Sequence, residues 1–118
     1  MKIFKKFTFD SAHSLPNVPD GHKCKNVHGH TYHLTIWVER PLDEKMGWVM
    51  DFAELKEIIS PVVKELDHKY INDIPGLENP TCEILVKWIW DRVIDDLEGL
   101  VKVELNETPT SGAVYKGK

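Results

Sequence analysis

The sequence predicts an α+β domain in which an antiparallel sheet carries two helices on one face. Segments of alternating polarity, typical of strands, lie at both ends of the chain, and two segments with helical spacing lie between them. Strands that follow one another directly at each end favour antiparallel pairing. No repeat or linker divides the 118 residues, so we expect one domain over residues 1–118.

Two strands are predicted at each end of the chain. Residues 2–13 and 28–39 alternate between apolar and polar positions, and the loop between them contains two prolines, one glycine and two asparagines. Residues 101–107 alternate in the same way, and a turn separates them from a short last strand at residues 113–116. The predicted order of elements is therefore β-β-α-α-β-β.

Two helices are predicted in the centre of the chain. Asp51 caps a segment whose apolar residues follow helical spacing as far as Leu66. Pro61 lies inside this segment and predicts a kink or a break. After a polar loop, Pro80 opens a second helix, which Gly99 ends.

The composition argues against several classes of protein. Nineteen acidic and fifteen basic side chains give a net charge of −4, whereas a general nucleic-acid binder needs a basic face. No apolar run approaches the roughly 20 residues of a membrane span, and the first residues lack the pattern of a signal peptide. Two cysteines are too few for a disulfide framework. We therefore expect a cytoplasmic protein with neither a nucleic-acid nor a membrane partner.

The histidines are unevenly distributed, since five of the six fall between His13 and His33. His28 and His30 are two residues apart on a predicted strand, so their side chains point to the same side. His13, at the end of the neighbouring strand, can supply a third ligand. Three histidines suit zinc and leave one coordination position open. The alternative is that the two strand histidines simply pack beside Tyr32.

Cys24 lies four residues before His28, and the sequence leaves its role open. As a fourth ligand it would close a structural zinc site with the three histidines. Away from the metal, its thiolate could act as a base or nucleophile, activated by Lys23, Lys25 or the metal itself. The third interpretation is a small buried loop residue, which is also what we predict for Cys82.

Two carboxylates are further candidates for chemistry. Asp67 can orient His68 and raise its basicity, provided that the backbone leaves the helix there, because adjacent helical residues do not face each other. A solvated helix end is the alternative.

Glu107 shares a strand face with apolar residues, where a carboxylate is costly unless it is paired. It can accept two parallel hydrogen bonds from an arginine, or from a ligand with a similar pair of N–H groups.

The chain contains, in order, the motifs FTFDSAH (7–13), GHKC (21–24), HGH (28–30), GWVMDF (47–52), LDH (66–68), LENPT (77–81) and ET (107–108). Together they resemble the 6-pyruvoyl-tetrahydropterin synthase superfamily, and most closely its bacterial 6-carboxy-tetrahydropterin synthase branch of the queuosine pathway. Three residues between Cys24 and His28 are typical of that branch, whereas five are typical of the animal pyruvoyl-forming enzymes. The branch that splits dihydroneopterin has a glutamate in place of the cysteine.

The resemblance implies a role for each matching residue. The residues that match the family's zinc ligands are His13, His28 and His30. The residues that match its catalytic base and proton relay are Cys24, Asp67 and His68. Glu107 matches the pterin anchor, and Thr81 lies in the segment that lines the pterin pocket, although Cys82 replaces the hydroxyl residue that often follows. The basic groups nearest the site, which we name for the triphosphate, are His22, Lys23 and Lys25.

The resemblance also implies a reaction and an assembly. The carboxy-forming branch converts 7,8-dihydroneopterin triphosphate into 6-carboxy-5,6,7,8-tetrahydropterin, acetaldehyde and triphosphate, whereas pyruvoyl-forming relatives eliminate triphosphate without breaking a carbon–carbon bond. A pterin-binding domain with a structural zinc is the non-enzymatic alternative. The family has the tunnelling fold, or T-fold. Its trimers close their sheets into one barrel, two trimers stack into a hexamer, and the sites lie between subunits.

Overall fold

The computed structural model describes all 118 residues and confirms the predicted order of strands and helices. In chain order the elements are β1 (Lys2–His13), β2 (His28–Glu39), α1 (Phe52–Leu66), α2 (Cys82–Val93), β3 (Leu100–Thr108) and β4 (Ser111–Tyr115). Two short 3-10 turns, Lys23–Lys25 and Ile71–Asp73, lie in loops where the sequence pattern predicts no regular structure. None of the helices combines the length and the apolar character needed to cross a bilayer.

The strands form one antiparallel sheet in the order β1-β2-β3-β4. Both helices pack on the same face of this sheet, and 22 buried residues form the core between the two layers. Side chains on the other face point away from the helices. We call this other face the open face, and Phe4, Trp37 and Lys102 lie side by side on it as cross-strand partners.

Helix α1 runs through Pro61 without a break. Asp51 caps it as predicted, since its side chain accepts a hydrogen bond from the Ala53 N–H at 2.9 Å. Pro61 has no N–H to donate to the carbonyl of Glu57 one turn earlier. Both residues are exposed, so water can satisfy that carbonyl, and the break allowed for in the sequence interpretation does not occur.

Helix α2 is shorter than the sequence predicts. It begins after Thr81 rather than at Pro80, because the Thr81 hydroxyl accepts a hydrogen bond from the Ile84 N–H at 3.2 Å. It ends at Val93, and the chain then turns through Gly99 into β3.

Gly99 is a position where only glycine fits. Its φ is +87°, and a Cβ there would lie 2.6 Å from the Glu39 carbonyl oxygen. We expect Gly99→Ala to lower the free energy of unfolding by about 3 kcal/mol, from left-handed backbone strain and overpacking together. Gly47→Ala is the control, because Gly47 has a φ of +76° but open space around it, and should cost about 1 kcal/mol. Equal losses in urea titrations of the two variants would show that the contact with Glu39 is unimportant.

A bulge in β3 changes which face one residue occupies. The pairing with β2 shifts register between Trp37 and Val38, so that Leu100 rather than Val101 lies opposite Val38. Leu100 is buried in the core, and Val101 lines a cavity together with Trp37. The simple alternation that places Val101 on the same face as Val103 is therefore wrong at this one position.

Candidate functional site

Three histidines converge at one end of the sheet, on the side that faces the helices. His13 and His28 are direct cross-strand partners, and His30 lies two residues further along β2. Their potential ligand atoms, with a carboxylate oxygen of Glu107, all lie within 4.8 Å of one another. His13 is fully buried, and the other three side chains are half-buried. The structure thus brings together the three histidines singled out from the sequence and adds a carboxylate to them.

Backbone carbonyl groups orient two of these imidazole rings. His13 Nδ1 lies 2.9 Å from the Pro80 carbonyl oxygen, and His28 Nδ1 lies 2.8 Å from that of Asn26. A carbonyl oxygen can only accept, so in both rings Nδ1 is the protonated nitrogen that donates. In the neutral form of each ring, Nε2 then keeps its lone pair. Histidines that bind metals are typically held by such contacts.

Two buried histidine nitrogen atoms without hydrogen-bond partners indicate that a cation fits this cluster. Nε2 of His13 and Nε2 of His30 are both buried and have no hydrogen-bond partner. Oε1 of Glu107 lies 3.1 Å from the first and 3.0 Å from the second, but neither contact has hydrogen-bond geometry. An unprotonated nitrogen and a carboxylate oxygen both present lone pairs, so a cation between them removes the repulsion. Three histidines and one carboxylate are a donor set that zinc accepts.

The protonation states of the cluster also suit metal binding. Burial lowers the pKa of His30, although the nearby Glu107 carboxylate opposes this effect. A proton on His13 Nε2 would lower the pKa of Glu107, an effect that burial opposes, and a cation bound in its place would act in the same direction. A neutral imidazole and an ionised carboxylate are the forms that bind a metal ion.

A cavity of about 480 Å³ opens beside the histidines. The residues that line it are Lys23, Cys24, His28, His30, Glu107, Thr108 and Ser111. Cys24 is half-buried in the first 3-10 turn, and its backbone N–H donates to His22 Nδ1 at 3.0 Å. Cys24 lines the cavity without joining the four residues whose ligand atoms cluster. This arrangement favours a role for Cys24 off the metal over a role as fourth ligand.

Asp67 and His68 form the side-chain contact that the sequence suggested. The helix ends at Leu66, Asp67 is extended, and His68 adopts a φ of +55°, which turns its ring back toward Asp67. His68 Nδ1 lies 3.0 Å from Asp67 Oδ1, and the Asp10 backbone N–H donates to the same oxygen at 3.0 Å. These contacts, led by the Asp10 N–H, lower the pKa of Asp67. The pair therefore holds an exposed imidazole in one orientation.

This pair does not share a cavity with Cys24 within one chain. His68 lines a separate space of about 610 Å³ along the edge of β1, with Asp10, Lys69 and Tyr70 among its other walls. His30 borders both spaces. Within one chain, His68 and Cys24 therefore line different spaces.

The remaining candidates have local partners. The Lys25 ammonium lies 2.8 Å from the Asp20 carboxylate, so its charge is already paired within the loop. Thr81 caps α2 and lines neither space. Cys82 is buried, its thiol donates to the Leu105 carbonyl oxygen at 3.3 Å, and burial raises its pKa to about 11.

Sequence reasoning missed the contact of Glu107 with the histidines. The alternation of β3 indicated that Glu107 lies on the same face as Leu105, but not which side chains it meets across the sheet. That partner depends on the register between β2 and β3, which places Asn106 opposite His33. The signal that could have found it was the carboxylate itself, since an apolar strand face gives it no other partner.

The sequence and the fold match known proteins over most of the chain. A family model described as 6-pyruvoyl tetrahydropterin synthase matches residues 2–118. A 6-carboxy-5,6,7,8-tetrahydropterin synthase of Synechocystis is 41% identical, with 96% of this chain and 91% of the relative covered. A dihydroneopterin monophosphate aldolase of Pyrococcus furiosus is 39% identical, with 87% and 83% covered. The structure of Caenorhabditis elegans 6-pyruvoyl tetrahydropterin synthase superposes with a TM-score of 0.92 at 26% identity, covering 100% of this chain and 96% of that one.

Proposed function

The chain belongs to the 6-pyruvoyl tetrahydropterin synthase family, and from that premise we propose that it is a zinc-dependent carbon–carbon lyase. Its substrates are 7,8-dihydroneopterin triphosphate and one water molecule, and its products are 6-carboxy-5,6,7,8-tetrahydropterin, acetaldehyde and triphosphate, a step of queuosine biosynthesis. The observation that supports this most is a three-histidine cluster with Cys24 beside it but outside it. The 41% identity to a relative named for the carboxy-forming activity supports the choice of branch.

We assign the zinc to the Nε2 atoms of the histidine cluster, that is, to His13, His28 and His30. A bound zinc ion supplies a Lewis acid that polarises the hydroxyl groups of the substrate side chain. The carbonyl contacts of Pro80 and Asn26 hold two of these rings ready, so little reorganisation is needed when the metal binds.

Cys24 is the proposed base. Its thiolate accepts a proton from the substrate side chain in the cavity that it shares with His30. His68, oriented by Asp67, moves a proton at the opposite face of the substrate. Because His68 lines a different space from Cys24, we propose that the pair acts on a substrate held by a neighbouring subunit.

Glu107 is the proposed anchor for the pterin ring. Glu107 lines the cavity, and in this role its carboxylate turns from the histidine Nε2 atoms to accept two parallel hydrogen bonds from the amino-pyrimidinone edge. Lys23, in the same cavity, is the proposed contact for the triphosphate. Lys25 can join it only by leaving Asp20, and Thr81 supports the pterin segment by capping α2.

The proposed particle is a hexamer of two trimers, each with one closed barrel. β1 and β4 each pair with one neighbour only, so both edges of the sheet have unpaired backbone groups. Closure with further copies removes these edges and brings the two spaces described above together. Both cysteines are free thiols, which fits a reducing cytoplasm.

The pyruvoyl-forming reaction is the second candidate. It is favoured by the superposition on the Caenorhabditis elegans structure, whose name states that activity. It needs the same metal cluster and a proton-transferring group, so the fold alone does not distinguish the two reactions. The three-residue spacing between Cys24 and His28 is the feature of this chain that favours the carboxy-forming reaction.

The variant Glu107→Gln tests the proposed site. We expect the wild-type protein to consume 7,8-dihydroneopterin triphosphate, and the variant to raise KM at least about tenfold, because a charge-assisted hydrogen bond is lost. Zinc content, measured by atomic emission, should stay unchanged. An unchanged KM would exclude the anchor role, loss of zinc would make Glu107 a metal ligand instead, and an inactive wild-type protein would overturn the function itself.

A further inference from the structure

The open face of the sheet has a small basic cavity at the end far from the histidines. Its volume is about 180 Å³, which is room for about six water molecules at roughly 30 Å³ each. The residues that line it are Lys2, Trp37, Val101, Lys102 and Lys116. Trp37 follows His30 by seven residues in β2, so the two sites lie roughly 23 Å apart at about 3.3 Å per residue.

The three lysines of this cavity have no acidic partner. Every ion pair in the structure involves other basic groups, and Lys25 is the only lysine among them. Glu39 is the cross-strand partner of Lys2, yet it forms no ion pair with it. Three like charges around one small cavity repel one another unless an anion binds between them. In a chain with a net charge of −4, such a cluster is a local exception.

One aromatic ring lines the cavity, that of Trp37, and the Phe4 ring packs against it. Lys102 Nζ lies 4.9 Å from the centroid of the Trp37 ring, and the Phe4 ring lies 4.8 Å from the same ring. Trp37 Nε1 is buried and has no hydrogen-bond partner. Trp37 Nε1 is therefore a donor that the protein itself leaves unused.

We propose that the cavity formed by Lys2, Lys102 and Lys116 over Trp37 is a binding site for a polyphosphate group. Three ammonium groups can each donate to phosphate oxygens, and the bulge that moves Val101 onto the open face supplies one apolar wall. The polyphosphate is either free inorganic triphosphate or the triphosphate of a nucleotide whose base stacks on the half-exposed Phe4. Because the site is distant from the histidines, it stands whether or not the proposed lyase activity does.

Fluorine NMR of the whole protein labelled with 5-fluorotryptophan tests this site directly. The chain has four tryptophans, and Trp37→Phe identifies the Trp37 signal by its loss. We expect millimolar inorganic triphosphate at low salt to shift that signal, and Lys102→Gln to weaken binding by about tenfold. Lys6→Gln is the matched control, since Lys6 lies over the Phe4 ring but outside the cavity, and should change the affinity less than about twofold.

Two results would overturn the proposal. One is the absence of any shift of the Trp37 signal, and the other is an equal loss of affinity in Lys6→Gln and Lys102→Gln, which would indicate only general charge attraction. A parallel titration with a nucleoside triphosphate separates the two sources of the group. If the nucleoside triphosphate binds more tightly than inorganic triphosphate and Phe4→Leu abolishes the difference, the ligand is a nucleotide. If the two affinities are equal, the site recognises the polyphosphate alone.

Discussion

Replacement of Cys24 by alanine is expected to lower kcat by about a thousandfold, as expected for the loss of a general base. Zinc content and the temperature of thermal unfolding should stay at their wild-type values. The reason is positional, because the thiol borders the cavity beside His28 and His30 but lies outside the cluster of ligand atoms. Steady-state kinetics, atomic emission and calorimetry on the same preparation measure all three quantities.

Cys82→Ala is the matched control for that variant. Cys82 lies in the core, and its thiol donates to the Leu105 carbonyl oxygen. Its loss should lower the free energy of unfolding by about 1 kcal/mol and leave kcat unchanged. If Cys24→Ala instead loses zinc and unfolds at a much lower temperature, Cys24 is a structural ligand, and the site is closed to substrate.

Replacement of His30 by alanine should weaken zinc binding by far more than a hundredfold and abolish turnover. Even residues that only support a metal ligand contribute about 10–100-fold to metal affinity, and His30 supplies a ligand atom itself. Competition with a chromophoric chelator measures the affinity, and added zinc in excess should restore part of the activity.

His33→Ala is the control for this variant, because His33 lies on the same strand but on the open face, and is exposed. We expect wild-type zinc affinity and activity from it. If His30→Ala still retains one zinc ion per chain with wild-type affinity, the metal lies elsewhere, and the three-histidine assignment is incorrect.

Most of the fold could be predicted from the sequence because strand and helix periods differ so clearly here. The alternation in β2 places His28 and His30 on one side of the sheet. Antiparallel pairing of β1 with β2 places His13 opposite His28. The break allowed for at Pro61 does not occur, because the effect of a proline depends on whether the carbonyl one turn earlier can reach water. That depends on tertiary packing, which local sequence does not report.

The parts of the site that sequence could not provide are those made by backbone groups and by register. The carbonyl oxygens of Pro80 and Asn26 that orient two rings belong to loops, and residue type says little about where a loop carbonyl points. The meeting of Glu107 with the histidines depends on the pairing of β2 with β3. His68 and Cys24 line two different spaces, and this separation depends on the packing of loops that are distant in sequence.

Product analysis of an anaerobic reaction with 7,8-dihydroneopterin triphosphate tests the central claim most directly. The zinc-loaded protein should release acetaldehyde and 6-carboxy-5,6,7,8-tetrahydropterin in equal amounts, with triphosphate as the third product. The monophosphate, offered in parallel, should be a poor substrate, although a relative at 39% identity is named for acting on it. A pyruvoyl product without acetaldehyde, or cleavage of the monophosphate alone, would contradict the proposed reaction.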